Sequence, residues 1–451
     1  MTKKTLSERL SAFVAGLVYE DLSSDQITKI KMYFLDWLGS AIAGGNEPPV
    51  RMMLNMVRAL GGNPEATIIP DGSRTNCLLA ALVNGAASHV VEMDDLHRES
   101  IFHPAAAIIP AVFAAAERTH ASGRDMIVGL AAGYEVGIRL ALAAGPGHYR
   151  YWHTTATCGT FGAAAGSAAI LGLDAARTAW ALGSAGTQAA GLWEFLVESA
   201  MSKQLHTGKA AFNGLLSSLL AAEGFTGARA ILEGEKGFFN ATSPDADPAG
   251  CLRGLGADFL FERNSLKYRA SCGHTHSSIE ALLEATGGRP MDPALIHEVD
   301  VHVYPEAIDL LGKVAPTTPY IAKFNFPFCV ATALIHGRVA PIDFTEARLN
   351  DPDINQLMEK VRLHGDPELG RAYPAKWPAR VVIRLSDGKR LEGACEYPKG
   401  DPENPLTERD LIGKFKDLTA GLVPNDEAAA LIEKALNMEN QSRMNLLFSS
   451  L

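Results

Sequence analysis

Between positions 89 and 104 the chain reads HVVEMDDLHRESIFHP. His89, Glu92, Asp94, Asp95, His97, Arg98, Glu99 and His103 fall within fifteen positions. Imidazoles beside carboxylates are the residue types that move protons near neutral pH, once their surroundings tune them. The run follows LLAALVNGAAS, a stretch of small and apolar residues. Charges concentrated where a buried helix ends point to a site. The plainer alternative is that Asp94 and Asp95 cap the next helix while His97 faces water. A metal centre has less support, because no HExxH or facial histidine pair occurs.

Three more clusters could do chemistry. HYRYWHTTATCGTFGAAAG, 148–166, sets His153 before a Thr-rich turn into a Gly/Ala helix, with Gly159 or Thr160 at its cap. The free N–H groups of such a helix end hold carboxylate or phosphate. MSKQLHTGKAAFNG, 201–214, places Lys203, His206 and Lys209 ahead of a small-residue helix, a plausible anion cradle. SLKYRASCGHTHSSIEALL, 265–283, carries Lys267, Tyr268, Arg269, Cys272, His274 and His276. A lysine or cysteine there acts as a base only where burial or a neighbouring charge shifts its pKa. GxGxxG after a strand, GxxxxGK[ST] and GxSxG are all missing.

The elements that must position these groups are mostly helical up to about residue 240. Leu10, Phe13, Val14 and Leu17 share a face at helical spacing, as do Ile27, Ile30, Phe34 and Leu38 behind a Ser23 or Ser24 cap. GNPEATIIPDG reads as a short strand or hairpin. Further helices are expected at 75–91, 104–118, 125–144, 160–171, 174–190 and 209–223. Their Ala, Gly and Ser content lets helix axes approach closely. Near residue 270 the character changes. HEVDVHVY, 297–304, alternates as a strand, and RVVIRLSDGKRLEGACEY, 380–397, is a hairpin about Asp387-Gly388. Helical stretches lie near 324–337 and 353–362, a Pro/Gly-rich linker follows, and 407–422 and 425–436 are helical again. The fold class expected is mainly α. A large all-helical domain, 1–265 completed by 405–451, carries an inserted α+β lid of 266–404.

Composition bounds the partners. Forty-one Lys and Arg against 51 Asp and Glu leave a net charge of −10, with 47% apolar residues. This is a globular profile that argues against nucleic-acid or acidic-membrane binding, while leaving room for a locally cationic site. Without a signal-peptide pattern the expected location is cytoplasmic, and the six cysteines, with no CxxC pair, are read as free thiols.

Along its whole length the chain resembles the MmgE/PrpD family. The resemblance rests on the order of YFLDWLGSAIAG, GAASHVVEMDD with HPAAAIIPA, GTFGAAAGSAAILGL, SKQLHTGKAAFNG with GFTGARAILEGEKGF, LKYRASCGHTHSSIEAL and AKFNFPFCVATAL. It implies a helical domain with a smaller lid, a homodimer, no metal or organic cofactor, and small di- or tricarboxylate substrates. It also implies chemistry that begins with a proton removed beside a carboxylate. By position the family's groups fall on Asp94 and Asp95, His103, His153, Lys203 with His206, and Lys267.

Two positions depart from the decarboxylases of that family, and the 95–103 segment looks one residue longer. Cys272 stands where the resemblance expects a histidine, and Phe328 where it expects a tyrosine. Decarboxylation and dehydration each need an acid, whereas epimerisation needs two groups flanking one carbon. The expectation is therefore an iminodisuccinate-epimerase-like enzyme. Lys267 or Cys272 would face His103 or His97, while Lys203, His206, Arg98, Arg269 and Tyr268 hold the carboxylates. A 2-methylcitrate-type hydro-lyase or a cis-aconitate-type decarboxylase is the alternative. A helical scaffold without activity would give no reason for these side chains to converge.

Overall fold

Close approach between small residues is what organises the helices in the computed structural model, which describes residues 4–446. The chain divides into two compact units. The first comprises Met1–Phe195, Ala200–Asn264 and Thr407–Leu451, and the second Leu196–Ser199 with Ser265–Leu406.

The first unit is helical. Its main helices are α1 (Leu6–Gly16), α2 (Ser24–Ala43), α3 (Pro48–Leu60), α4 (Cys77–Val90), α5 (Pro104–Thr119), α6 (Gly123–Ala144), α7 (Thr154–Ile170), α8 (Ala175–Gly186) and α9 (Ser202–Ala222). The chain returns to it later, after the second unit, to add two more helices. The cap read at Ser23 is in place, accepting from Gln26 N–H, and Asp174 accepts from Arg177 N–H, each satisfying an otherwise orphaned donor. The expected hairpin is a two-residue antiparallel pair, Ala66–Thr67 with Arg74–Thr75.

Small residues set the helix spacings. Thr207 Oγ1 of α9 donates to the Gly85 carbonyl of α4 at 2.9 Å. A Cβ built on Gly208 would stand 2.3 Å from the Leu82 carbonyl oxygen. That neighbour is backbone, so it cannot swing aside. Gly208→Ala is expected to destabilise by about 1–3 kcal/mol through overpacking, less the roughly 1 kcal/mol that alanine gains in helix propensity. Urea unfolding checks this, and a midpoint equal to or above wild type would show that the two helices separate at no cost.

Helix α6 is long and apolar enough to cross a bilayer, yet 89% of its apolar window is buried within the protein. It also holds an internal ion pair, Arg139 Nε to Glu135 Oε1 at 2.6 Å, with Glu135 Oε2 accepting from Leu260 N–H. It is a core helix.

The second unit contains a four-stranded sheet of β1 (Ile296–Val303), β2 (Val361–Gly365), β3 (Ala379–Leu385) and β4 (Arg390–Cys395), in spatial order β2-β1-β3-β4. Helices α10 (His276–Thr286) and α11 (Phe326–His336) belong to the same unit. The hairpin is β3 and β4, with Gly388 at φ 87° in the turn. Strand β2 pairs parallel with β1, Val299 opposite Val361. Helical periodicity extends through 353–362 in the sequence, but the helix there, Pro352–Met358, stops short and pairing with β1 takes the rest. Thr407 then caps α12 (Glu408–Thr419), and α13 (Asn425–Leu436) follows, both in the first unit.

Candidate active site

The acidic segment leaves α4 through an unusual backbone. Glu92, 1% exposed, adopts φ 57° in the left-handed region. A non-glycine residue held there costs about 1 kcal/mol or more, and such strain gathers at functional positions. The Glu92 side chain makes a buried, very short ion pair with Lys203 Nζ, 111 residues later. The sequence places Lys203 and His206 in a turn ahead of a helix. In the structure α9 begins at Ser202, so both stand on its first turns, three residues apart on one face. Likewise α7 begins at Thr154, which puts His153, not Gly159 or Thr160, at its cap position.

Asp94 and Asp95 do different work. Asp94 Oδ2 accepts from His89 Nδ1 at 2.7 Å and lies 3.5 Å from His103 Nδ1. Asp95 caps α5, as the plainer reading of the sequence has it, accepting from Ala105 N–H at 2.9 Å. Its other oxygen accepts from Tyr134 Oη at 2.8 Å and Asn264 Nδ2 at 2.6 Å. Burial pushes the Asp95 carboxyl up to about 8, with the Asp94 charge adding to it, while the Ala105 and Tyr134 donors oppose. The folded pKa therefore lies above the unfolded value of 3.8. The contribution to stability is fully present below about 4 and is lost as pH rises through about 8. Urea titrations of wild type and Asp95→Asn between about pH 4 and about pH 8 should show the wild-type advantage shrinking with pH. A constant difference would contradict the shift.

Four imidazoles converge on these acids. The rings of His89 and His103 are 5.0 Å apart, His89 and His153 5.8 Å, and His153 and His206 5.4 Å. His103 Nδ1 donates to the Asp95 carbonyl at 2.6 Å, because a carbonyl can only accept. His89 Nδ1 likewise donates to Asp94. Both Nδ1 positions therefore carry a proton, and Nε2 of each ring points elsewhere. Nε2 of His89 is buried and has no partner among the described residues. His153 and His206 meet Nδ1 to Nδ1 at 3.2 Å, so one donates to the other. Burial first, then the His206, Lys203 and His89 charges, hold His153 well below the ordinary imidazole range. Burial and the His89 and Lys203 charges bring His206 to about 4. Both rings are therefore held in the neutral form.

One nitrogen or oxygen from each of His89, Asp94 and His103 lies within 4.8 Å of the others, a spacing a metal ion could use. With Nδ1 of both rings hydrogen-bonded to Asp94 and to the Asp95 carbonyl, ligation by either histidine would fall to Nε2.

Three of the four sequence clusters thus meet in the first unit through Asp94, His103, His153, Lys203 and His206. His97 turns into its own loop instead, pairing with Ser100 Oγ at 2.8 Å, and burial lowers it to about 3. Arg98 is buried in the short turn beside it. Lys267, Tyr268, Arg269 and Cys272 belong to the second unit. There Arg269 Nε donates to Glu280 at 2.8 Å, its guanidinium lies over the Tyr268 ring, and Cys272 N–H donates to the Lys323 carbonyl at 2.9 Å. Cys272 is half-buried and Lys267 buried. His274 is committed to the interior, bonded to Tyr304 Oη and stacked on Trp377 at 4.1 Å.

Glu92 and His89 are in the sequence cluster, yet their roles are not legible there, since neither a left-handed backbone nor a partner 111 residues away leaves a local signal. Tyr134 and Asn264, which hold Asp95, look in the sequence like ordinary core and loop residues.

Residues 8–250 match the MmgE/PrpD N-terminal domain, and residues 270–440 match the MmgE/PrpD C-terminal domain. The chain belongs to the MmgE/PrpD family. The family's C-terminal match extends through α12 and α13, which pack with the first unit. This MmgE/PrpD chain is 26% identical to a cis-aconitate decarboxylase-like protein of Aspergillus oryzae, covering 98% of the chain and 96% of the relative. It is 24% identical to human cis-aconitate decarboxylase over 99% and 94%. A 2-methylcitrate dehydratase of Cupriavidus necator matches at 25% over 38% and 37%. These relatives bear lyase names, so the lyase reading gains support over epimerisation. What stands for this chain is an enzyme of the family.

Proposed function

We propose that this chain is a lyase of small polycarboxylates, with cis-aconitate or a close analogue as substrate, and that it transfers a proton at a carbon next to a carboxylate. The observation that carries the reading is the orientation of His103. Its Nδ1–H is held by the Asp95 carbonyl at 2.6 Å with Asp94 behind it, which directs a basic Nε2 away from the backbone. A histidine so fixed accepts a proton from substrate, or returns one, without reorganising. His89 on Asp94 forms a second carrier, and Lys203 supplies positive charge for a substrate carboxylate. The full-length relatives named cis-aconitate decarboxylases support this substrate class over the partly covered dehydratases.

Epimerisation is the second reading, and Cys272 and Phe328 favour it. Phe328 is fully buried against Phe344, rings 5.6 Å apart, and offers no hydroxyl. A chain lacking both donors is better suited to moving a proton between two faces of one carbon than to expelling a group.

Proton NMR in heavy water, over cis-aconitate, 2-methylcitrate and iminodisuccinate, separates the readings. Carbon dioxide with a new methylene signal supports the decarboxylase. An alkene from 2-methylcitrate supports the hydro-lyase. Exchange of the Cα proton with no new alkene supports the epimerase. No turnover or exchange with any of them would overturn the proposal.

A further inference from the structure

Lys414 is 4% exposed, on a helix far from the acidic segment in sequence. Its Nζ donates to Asp36 Oδ1 of α2 at 2.5 Å, which supplies the counter-charge a buried ammonium requires. It also donates to the backbone carbonyl of Met93 at 2.6 Å, across 321 residues. Met93 stands between Glu92, strained and paired with Lys203, and Asp94, which holds His89 and faces His103. A donor on that carbonyl fixes the peptide plane joining Met93 to Asp94, and with it the direction in which the Asp94 carboxylate leaves the backbone. Tyr134, its ring stacked on Tyr33 at 5.5 Å, also holds Asp95. The loop is thus gripped by two elements that contribute none of the proton-carrying imidazoles.

We infer that Lys414 is a positioning residue for the candidate active site. It clamps the Met93 carbonyl so that Asp94 stays aligned with His89 and His103, and this makes the returning C-terminal helix a working part of the site. The competing role is a pin between α2 and α12 that serves stability alone. The inference rests on the reading of residues 89–103 as the site.

Lys414→Met alone would strand the Asp36 charge in the core and could unfold the chain. The decisive variant is Asp36→Asn with Lys414→Met, which removes both charges and leaves the Met93 carbonyl without its donor. Two measurements apply to it. Native-state amide exchange is expected to lose about tenfold protection at residues 91–97, with α2 and α12 still protected. For turnover, kcat is expected to fall at least about tenfold with KM changed by less than about threefold, and the acid limb of the pH profile to shift. Lys414→Arg, which keeps a donor, should recover part of kcat. Unchanged protection at 91–97, or a double variant with kcat within about twofold of wild type, would overturn the inference. A wild-type chain without turnover on any polycarboxylate would end the functional reading, and the exchange measurement would then still decide whether Lys414 positions the loop.

Discussion

Replacing His103 by asparagine is expected to leave a folded protein whose turnover is lower by about 10²–10⁴-fold, the range for removing a general acid–base group. The variant separates chemistry from folding. His103 occupies the position before α5, where asparagine is a favoured cap, so the helix start should survive. The side chain is 13% exposed, so the exchange also removes packed ring atoms, a cost that the urea midpoint measures separately from kcat. What asparagine lacks is a basic ring nitrogen opposite the held Nδ1–H. The check is kcat by NMR together with the urea midpoint. Retention of kcat within about tenfold at wild-type stability would move the proton-transfer role to another residue.

The second large effect concerns stability. Glu92 and Lys203 are both nearly inaccessible, and removing one partner takes from the other the buried counter-charge it sits against. Lys203→Met or Glu92→Gln alone is expected to cost about 3–5 kcal/mol in urea unfolding, while the double variant should regain most of that loss. Neither Lys203→Met nor the double variant should turn over substrate at a useful rate, since each removes the cation placed for a carboxylate. Glu92→Gly adds a sharper comparison. It frees the left-handed backbone of its strain and takes that counter-charge from Lys203, so a Gly variant less stable than wild type would show that the ion pair outweighs about 1–2 kcal/mol of backbone cost. Additive single-variant losses in the double would mean the pair is not coupled.

Several site residues were visible before any coordinates because their signals are local. The density of imidazole and carboxylate at 89–103 is a composition signal. The His153 and Lys203 segments stood out for titratable residues beside small-residue helices. The placing of Lys203 and His206 ahead of their helix went astray because propensity does not fix a helix start. Thr207 and Gly208 pack against α4, and this contact draws the first turn back to Ser202. The helical stretch read over 353–362 overran into the parallel strand that starts at Val361 for a related reason, since the strand's partner lies about sixty residues earlier and only pairing distinguishes the two.

By itself the sequence determined the mainly helical class, the Ser23 cap, the hairpin about Asp387-Gly388 and the family, because periodicity, capping side chains and motif order act within a few residues or survive as a linear pattern. Tertiary structure alone decided that Asp95 caps α5 while Asp94 orients imidazoles, that Glu92 pairs with Lys203, and that Lys414 reaches the Met93 carbonyl. The role of a buried charge is set by which groups replace its water, and for the two buried lysines those carboxylates lie 111 and 378 residues away.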